Sequence, residues 1–258
     1  MATVEVQSLS SLVTVEKPVH IFFNGTPVAI SEGSPYGLKE LAAGYLLSEG
    51  IVGDRNRLID IVTDEANGKV FVHSEECLGD AGIPLMRFSS AGAARNAVLQ
   101  DATTHERELG IHNPQPHSSV ISFPSFHADD VLVMMDKLCF ESPRRNNGSC
   151  VHGCGIGSTT DGLLFVREDV GRHNAMDKAI GQAWLDRIPL YDKCVLSTGR
   201  ISIEMLLKVY RSGAKVIVSR KSATDQALHT AEDLGMTVIT HCREGHMKVF
   251  THPERLVS

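Results

Sequence analysis

Between Val13 and Ile30 the chain reads VTVEKPVHIFFNGTPVAI, two runs rich in β-branched and aromatic residues on either side of Asn24-Gly25. Both turn residues tolerate φ > 0, so the pattern predicts a first β-hairpin. Ser34-Pro35 then offers an N-cap and a proline at the first helical position, and Leu38, Leu41, Ala42, Tyr45 and Leu46 recur at helical spacing until Gly50. A second hairpin is predicted for Leu58 to Thr63 and Val70 to His73, joined around Asn67-Gly68. From Pro84 to Asn113 the periodicity weakens, with Ala91 to Gln100 the one helical stretch, and Pro114 to Pro124 reads as a connection.

Beyond it the pattern becomes regular. Ser125 reads as the cap of a helix whose first turns carry Asp129 and Asp130 and whose apolar face is Val131, Met134, Met135 and Leu138. After a polar, basic loop from Pro143 to Gly148 come strand Leu163 to Val166, helix His173 to Leu185, strand Cys194 to Ser197 and helix Ile203 to Arg211, closed by Gly213. Strand Val216 to Ser219, helix Asp225 to Leu234, strand Val238 to His241 and strand Lys248 to Thr251 complete the series. Strands alternating with helices predict a three-layer α/β domain with a mostly parallel sheet over residues 113–258, preceded by a smaller hairpin-rich lobe over residues 1–112.

Composition changes this picture little. Of 258 residues, 42% are hydrophobic and 22% charged, enough to build a sizeable core. A formal charge of −6 argues against general binding to nucleic acid or a membrane surface. Phosphate recognition remains open locally, through Arg144-Arg145, Arg172, Arg200, Arg220-Lys221 and Arg243. No apolar run approaches the ~20 residues of a membrane span, and Met1 to Ser10 has no signal-peptide pattern, so the expected location is cytoplasmic. The cysteines, Cys77, Cys139, Cys150, Cys154, Cys194 and Cys242, are accordingly read as thiols.

The candidate chemistry concentrates between Gly148 and Lys178. Cys150, His152 and Cys154 stand among Gly148, Gly153, Gly155 and Gly157, which reads as a tight glycine-rich loop. Zinc is not expected, because no second Cys/His pair stands at structural-zinc spacing and the deaminase pattern, His-x-Glu followed by Pro-Cys-x-x-Cys, is missing. A thiol near a histidine and several arginines suits nucleophilic or persulfide chemistry; the plainer reading is a loop of small residues. The run Glu168, Asp169, Arg172, His173, Asn174 follows a strand and opens a helix, a place for an anion or for simple capping. The turns at Ser197 to Ser202 and Ser219 to Thr224 repeat that placement, so Gly199, Arg200 and Ser219 join Arg172 in a predicted phosphate-binding crevice.

Glu168-Asp-Val-Gly-Arg-His-Asn-Ala-Met-Asp-Lys178, Gly199-Arg-Ile-Ser-Ile-Glu204 and Val249-Phe-Thr-His-Pro-Glu-Arg255 resemble the formate dehydrogenase accessory protein family, as do Glu16-Lys-Pro-Val-His-Ile21 and Leu41-Ala-Ala-Gly-Tyr-Leu-Leu-Ser-Glu-Gly-Ile51. The resemblance implies a cytidine-deaminase-like fold without the deaminase zinc and a homodimer. It implies binding of the guanine dinucleotide form of molybdopterin, with the C-terminal loop His241, Cys242, Arg243, Glu244, Gly245, His246 contributing. It further implies that sulfur passes from a cysteine desulfurase to the molybdenum cofactor before insertion into apo formate dehydrogenase. The family's usual Cys-x-x-Cys is missing from the connection His117 to Pro124, and Gly148-Ser-Cys150-Val-His152 stands where the family has Thr-Gly-Gly-x-His. Two readings follow: a sulfur carrier using Cys150 or Cys154 with His152 tuning the thiol, or a chaperone that binds and delivers the cofactor without carrying sulfur.

Overall fold

The computed structural model describes residues 14–76, 125–142 and 150–257. The expected helix at Ala91 to Gln100, the connection to Pro124, the loop Pro143 to Gly148 and the lobe boundary at residue 112 lie outside them. Strands β1 (Lys17–Phe23) and β2 (Thr26–Gly33) form the first hairpin, with Asn24 at φ 47° and Gly25 at φ 83° as the turn requires. Helix α1 (Leu38–Ser48) follows, and β3 (Leu58–Asp64) and β4 (Lys69–Ser74) form the second hairpin. The strands join as β2-β1-β4-β3, β1 and β4 running parallel. Alternate residues Val19, Ile21, Phe23, Val70 and Val72 turn inward against Leu38, Leu41, Ala42 and Leu46 of α1. Each such side chain contributes about 1.5–3 kcal/mol by leaving water.

The start of α1 differs from expectation. Gly37, at φ 64°, is the N-cap, and Ser34 lies outside the helix. Its N–H donates to Asp169 Oδ2 at 3.1 Å and its hydroxyl accepts from the N–H of Val170 at 3.2 Å, so this serine ties the lobe to the following domain.

A short β5 (Phe126–His127) leads into α2 (Ala128–Phe140), whose buried residues Val131, Met134, Met135 and Leu138 are the predicted face. The main sheet comprises β6 (His152–Ser158), β7 (Gly162–Asp169), β8 (Lys193–Ser197), β9 (Val216–Ser219), β10 (Thr237–Arg243) and β11 (His246–Thr251). Helices α3 (Arg172–Leu185), α4 (Ile203–Arg211) and α5 (Asp225–Asp233) make the crossovers. A last short strand, β12 (Leu256–Val257), pairs with β5.

The sheet order is β11-β10-β9-β8-β6-β7, and only the β8–β9 and β9–β10 ladders are parallel. The fold is therefore a mixed α/β fold, which corrects the expectation of a mostly parallel sheet. Crossovers α4 and α5 make β8, β9 and β10 parallel neighbours; the short β6–β7 and β10–β11 turns force antiparallel pairing, and because α3 carries the chain past β6 from β7 to β8, β6 runs antiparallel to both. Helix α2 covers one face, and α3, α4 and α5 cover the other.

The supposed glycine-rich loop is strand β6, an inner strand between β7 and β8. Gly153, Gly155 and Gly157 alternate on the face beneath α2. A Cβ on Gly157 would sit 2.5 Å from Met134 Sδ and 2.8 Å from Cys194 Sγ. These glycines serve close packing of helix on sheet.

Helix α3 also packs against α1. A Cβ on Gly44 would lie 1.8 Å from the Asp177 carbonyl oxygen, and one on Gly181 would lie 1.9 Å from that of Glu40, so the two backbones touch. This contact sets α1 directly against the middle of α3.

Candidate functional site

The strand directions bring most of the predicted residues to one edge of the main sheet. His152 at the start of β6 pairs with Asp169 at the end of β7, Cys154 with Ser197 and Ser197 with Ser219. The following turns are stitched by backbone hydrogen bonds: Thr198 N to Gly153 O at 3.0 Å, Arg220 N to Ser197 O at 3.1 Å and His241 N to Lys221 O at 3.0 Å. His152, Arg172, His173, Gly199, Arg200, Ser219 and the loop His241 to His246 thus lie along that edge.

Their roles divide sharply. Asp169 is fully buried, and its Oδ2 receives Lys178 Nζ at 2.6 Å and Ser34 N, while Oδ1 receives Gly171 N at 2.9 Å and Asn174 Nδ2 at 3.1 Å. Asn174 Nδ2 also donates to Glu32 O at 2.8 Å, and its Oδ1 accepts from Ser31 Oγ at 2.8 Å. Lys178 lies under the ring of Tyr36, 4.5 Å from its centroid. The atoms expected to meet a ligand are thus engaged within the protein, and Asp169 and Asn174 lock the N-terminal layer to the core. Ser219 is likewise spent, donating to Gly199 O at 2.5 Å and accepting from Lys221 N at 2.9 Å. Glu168 accepts a hydrogen bond from Ser142 at the end of α2.

A second lock was not legible in the sequence. Lys208 Nζ reaches Ser48 Oγ at 2.9 Å, Glu49 Oε1 at 2.8 Å and Asp177 Oδ2 at 3.1 Å, joining α4, α1 and α3. Burial opposes charge on Lys208, but Asp177 and Glu49 outweigh it and hold the ammonium above the ordinary lysine value.

What remains at the edge is positive. Among the described residues, Arg172, Arg200, Arg220 and Lys221 have no carboxylate within ion-pair distance. The Arg172 side chain lies across Gly199, where a Cβ would come within 2.9 Å of it, and among the described residues buried Arg172 Nε, His173 Nε2 and Ser202 Oγ have no hydrogen-bond partner. His173 Nε2 is 3.2 Å from Glu204 Oε2 but out of hydrogen-bonding line. Burial, then the neighbouring Arg172 and Lys208, push the His173 imidazole down to about 4 against the pull of Glu49. His173 is therefore neutral near pH 7 and offers an acceptor or a single N–H, not a second charge beside Arg172. Uncompensated cations and orphaned donors at a strand-to-helix edge suit an anion, with phosphate oxygens the natural fit.

The thiols separate by burial. Cys150 is exposed just before β6, its N–H bound to Thr14 Oγ1 at 3.1 Å. Cys154 is fully buried beside Ile156 and Met176, and burial aided by Asp177 pushes its thiol far up. This corrects its assignment as a carrier, because a protonated thiol without solvent contact neither attacks nor is reached. Cys242 points from β10 into the core, pushed up to about 12 chiefly by burial; it does not belong to the ligand face of the C-terminal loop. The alternation of a strand explains it: in His241-Cys242-Arg243, the middle residue turns inward. Arg243, Glu244, Gly245 and His246 are exposed, with Glu244 at φ 55° and Gly245 at φ 74° making the hairpin turn. No three His, Cys, Asp or Glu side chains gather as metal ligands among the described residues.

The profile of the FdhD/NarQ family matches residues 14–257. A sulfur carrier protein FdhD of Bacillus pumilus is 32% identical over 248 residues, covering 95% of this chain and 90% of that one. One from Staphylococcus haemolyticus is 32% identical over 252 residues, covering 97% and 91%. A crystal structure assigned as a formate dehydrogenase accessory protein from Desulfotalea psychrophila superposes with a TM-score of 0.73 at 25% identity, covering 95% of this chain and 90% of that chain.

Proposed function

This chain belongs to the FdhD/NarQ family, and from that premise we propose that it carries sulfur to a molybdenum cofactor held by its nucleotide at the cationic sheet edge. The observation that carries the reading is the coincidence, on one edge, of Arg172, Arg200, Arg220 and Lys221, which have no carboxylate partner among the described residues, with the exposed thiol Cys150 two residues before His152. The cargo is molybdopterin guanine dinucleotide. Its pyrophosphate would satisfy the orphaned Arg172 Nε and the exposed guanidinium of Arg200, and the C-terminal hairpin would flank the nucleotide. Cys150 is the carrier thiol in this reading, receiving sulfane sulfur from the persulfide of a cysteine desulfurase by thiol exchange. A homodimer in the cytoplasm, serving an apo formate dehydrogenase, completes the proposal, as does deaminase-like ancestry for the layered fold.

The test is intact mass after incubation with a cysteine desulfurase and cysteine. A thiol-reversible gain of about 32 Da supports sulfur carriage. No gain beside a desulfurase that is itself loaded would leave the delivery chaperone as the function. Retention of a guanine nucleotide, weakened at least tenfold in Arg172→Ala, checks the edge separately.

A further inference from the structure

One carboxylate stands among the cations of the sheet edge without pairing with any of them. Glu204 lies in the first turn of α4 with its side chain 62% exposed. Its place is fixed by the two residues that open α3. The Arg172 side chain lies across Gly199, in the turn that leads into α4, and His173 Nε2 lies 3.2 Å from Glu204 Oε2. Both residues thus touch the β8–α4 connection, which sets Glu204 beside the site of the Arg172 cation.

Among the described residues Glu204 makes no hydrogen bond and no ion pair with an arginine or lysine. The neighbouring His173 does not neutralise it, being uncharged near pH 7 and out of hydrogen-bonding line. The other carboxylates of this edge are spent or more distant. Asp169 is taken by Lys178 and Glu168 by Ser142. Asp225 opens α5 after β9, and Glu244 lies in the β10–β11 turn, one and two strands farther along the sheet.

A carboxylate at this place repels the phosphates that Arg172 and Arg200 attract, so by itself it would weaken a plain phosphate site. It suits a ligand that presents N–H donors next to its phosphates. Guanine does so: its N1–H and 2-amino group point the same way and match the two oxygens of one carboxylate. Adenine and cytosine instead set a ring-nitrogen lone pair beside their amino group, and hypoxanthine offers N1–H alone. Resting on the reading that this edge holds a nucleotide, we propose that Glu204 is its base-selecting residue, accepting guanine N1–H and the 2-amino group while Arg172 and Arg200 hold the pyrophosphate.

The experiment is isothermal titration calorimetry of the full chain with GDP, IDP, ADP and inorganic pyrophosphate, comparing wild type with Glu204→Gln and Arg172→Ala. Wild type should prefer GDP to ADP by about tenfold or more, with IDP between them. Glu204→Gln turns one acceptor oxygen into an N–H₂ group that faces guanine's own donors. It should weaken GDP about tenfold, weaken IDP less and leave ADP and pyrophosphate bound as tightly as in wild type or more so. Arg172→Ala should weaken all four alike. A GDP/ADP ratio that Glu204→Gln leaves unchanged overturns the proposal, and with a lowered thermal midpoint it assigns Glu204 to the stability of the α4 N-terminus. Equal binding of GDP and ADP by wild type overturns base selection and leaves the phosphate edge standing. Binding of none of the four removes the nucleotide edge and this proposal together.

Discussion

The Asp169 carboxylate meets the Lys178 ammonium at 2.6 Å with side-chain exposures of 0% and 1%, and the same carboxylate oxygen takes the N–H of Ser34 from the N-terminal layer. The densest polar run in the chain is thus a joint between layers, and the ligand edge is built on top of it. Removing one partner strands a charge where water cannot reach. Lys178→Ala should cost about 3–5 kcal/mol, whereas Asp169→Asn with Lys178→Met should recover much of it. Urea unfolding of both variants decides the point; a Lys178→Ala midpoint equal to wild type would refute the joint.

Contact between α1 and α3 rests on two missing side chains. Gly44→Ala drives a methyl into the Asp177 carbonyl and Gly181→Ala one into that of Glu40. Because the obstacles are backbone, each should cost at least about 1–3 kcal/mol, seen as a lowered thermal midpoint. Gly25→Ala, with nothing within 4 Å, should show only the strain of its positive φ.

Thiol accessibility predicts a ranking under native conditions. Iodoacetamide should modify Cys150 within minutes and leave Cys154, on the same tryptic peptide, untouched until the protein unfolds. Cys194 and Cys242, each pushed up to about 12 chiefly by burial, should stay equally silent. Modification of Cys154 at a rate near that of Cys150 would contradict its place in the core.

His173 predicts a pH dependence. Its folded value of about 4 lies below the ordinary 6.5, so as pH falls through 6.5 the unfolded chain binds a proton that the folded chain refuses. Stability present at neutral pH is therefore lost between about 6.5 and 4, at no more than about 1.4 kcal/mol per pH unit, and less because the imidazole is 31% exposed. His173→Asn should flatten this part of the curve. Equal slopes for the two proteins in urea titrations would show that His173 protonates freely in the fold.

Periodicity alone determined much of the architecture. Helix α4 and strand β9 match the expected bounds, and the other predicted helices and strands of the second domain fall within a few residues, because amphipathic spacing and Gly213 and Gly235 are local signals; strands β5, β6 and β12 were not predicted. The strand-to-helix turns were equally legible as a shared edge, since alternating strands and helices place successive turns together. Tertiary structure decided the rest. Glycines at alternate positions read as a flexible loop until α2 is known to lie over them, and Ser34 reads as a cap until Asp169 is known to lie beside it. Lys208, Ser48 and Asp177 are far apart in the chain. A sequence displays which groups a protein owns and their local period, but whether a carboxylate meets a ligand or a lysine, and whether a thiol meets water or a methionine, depends on neighbours brought in by the chain's long-range packing.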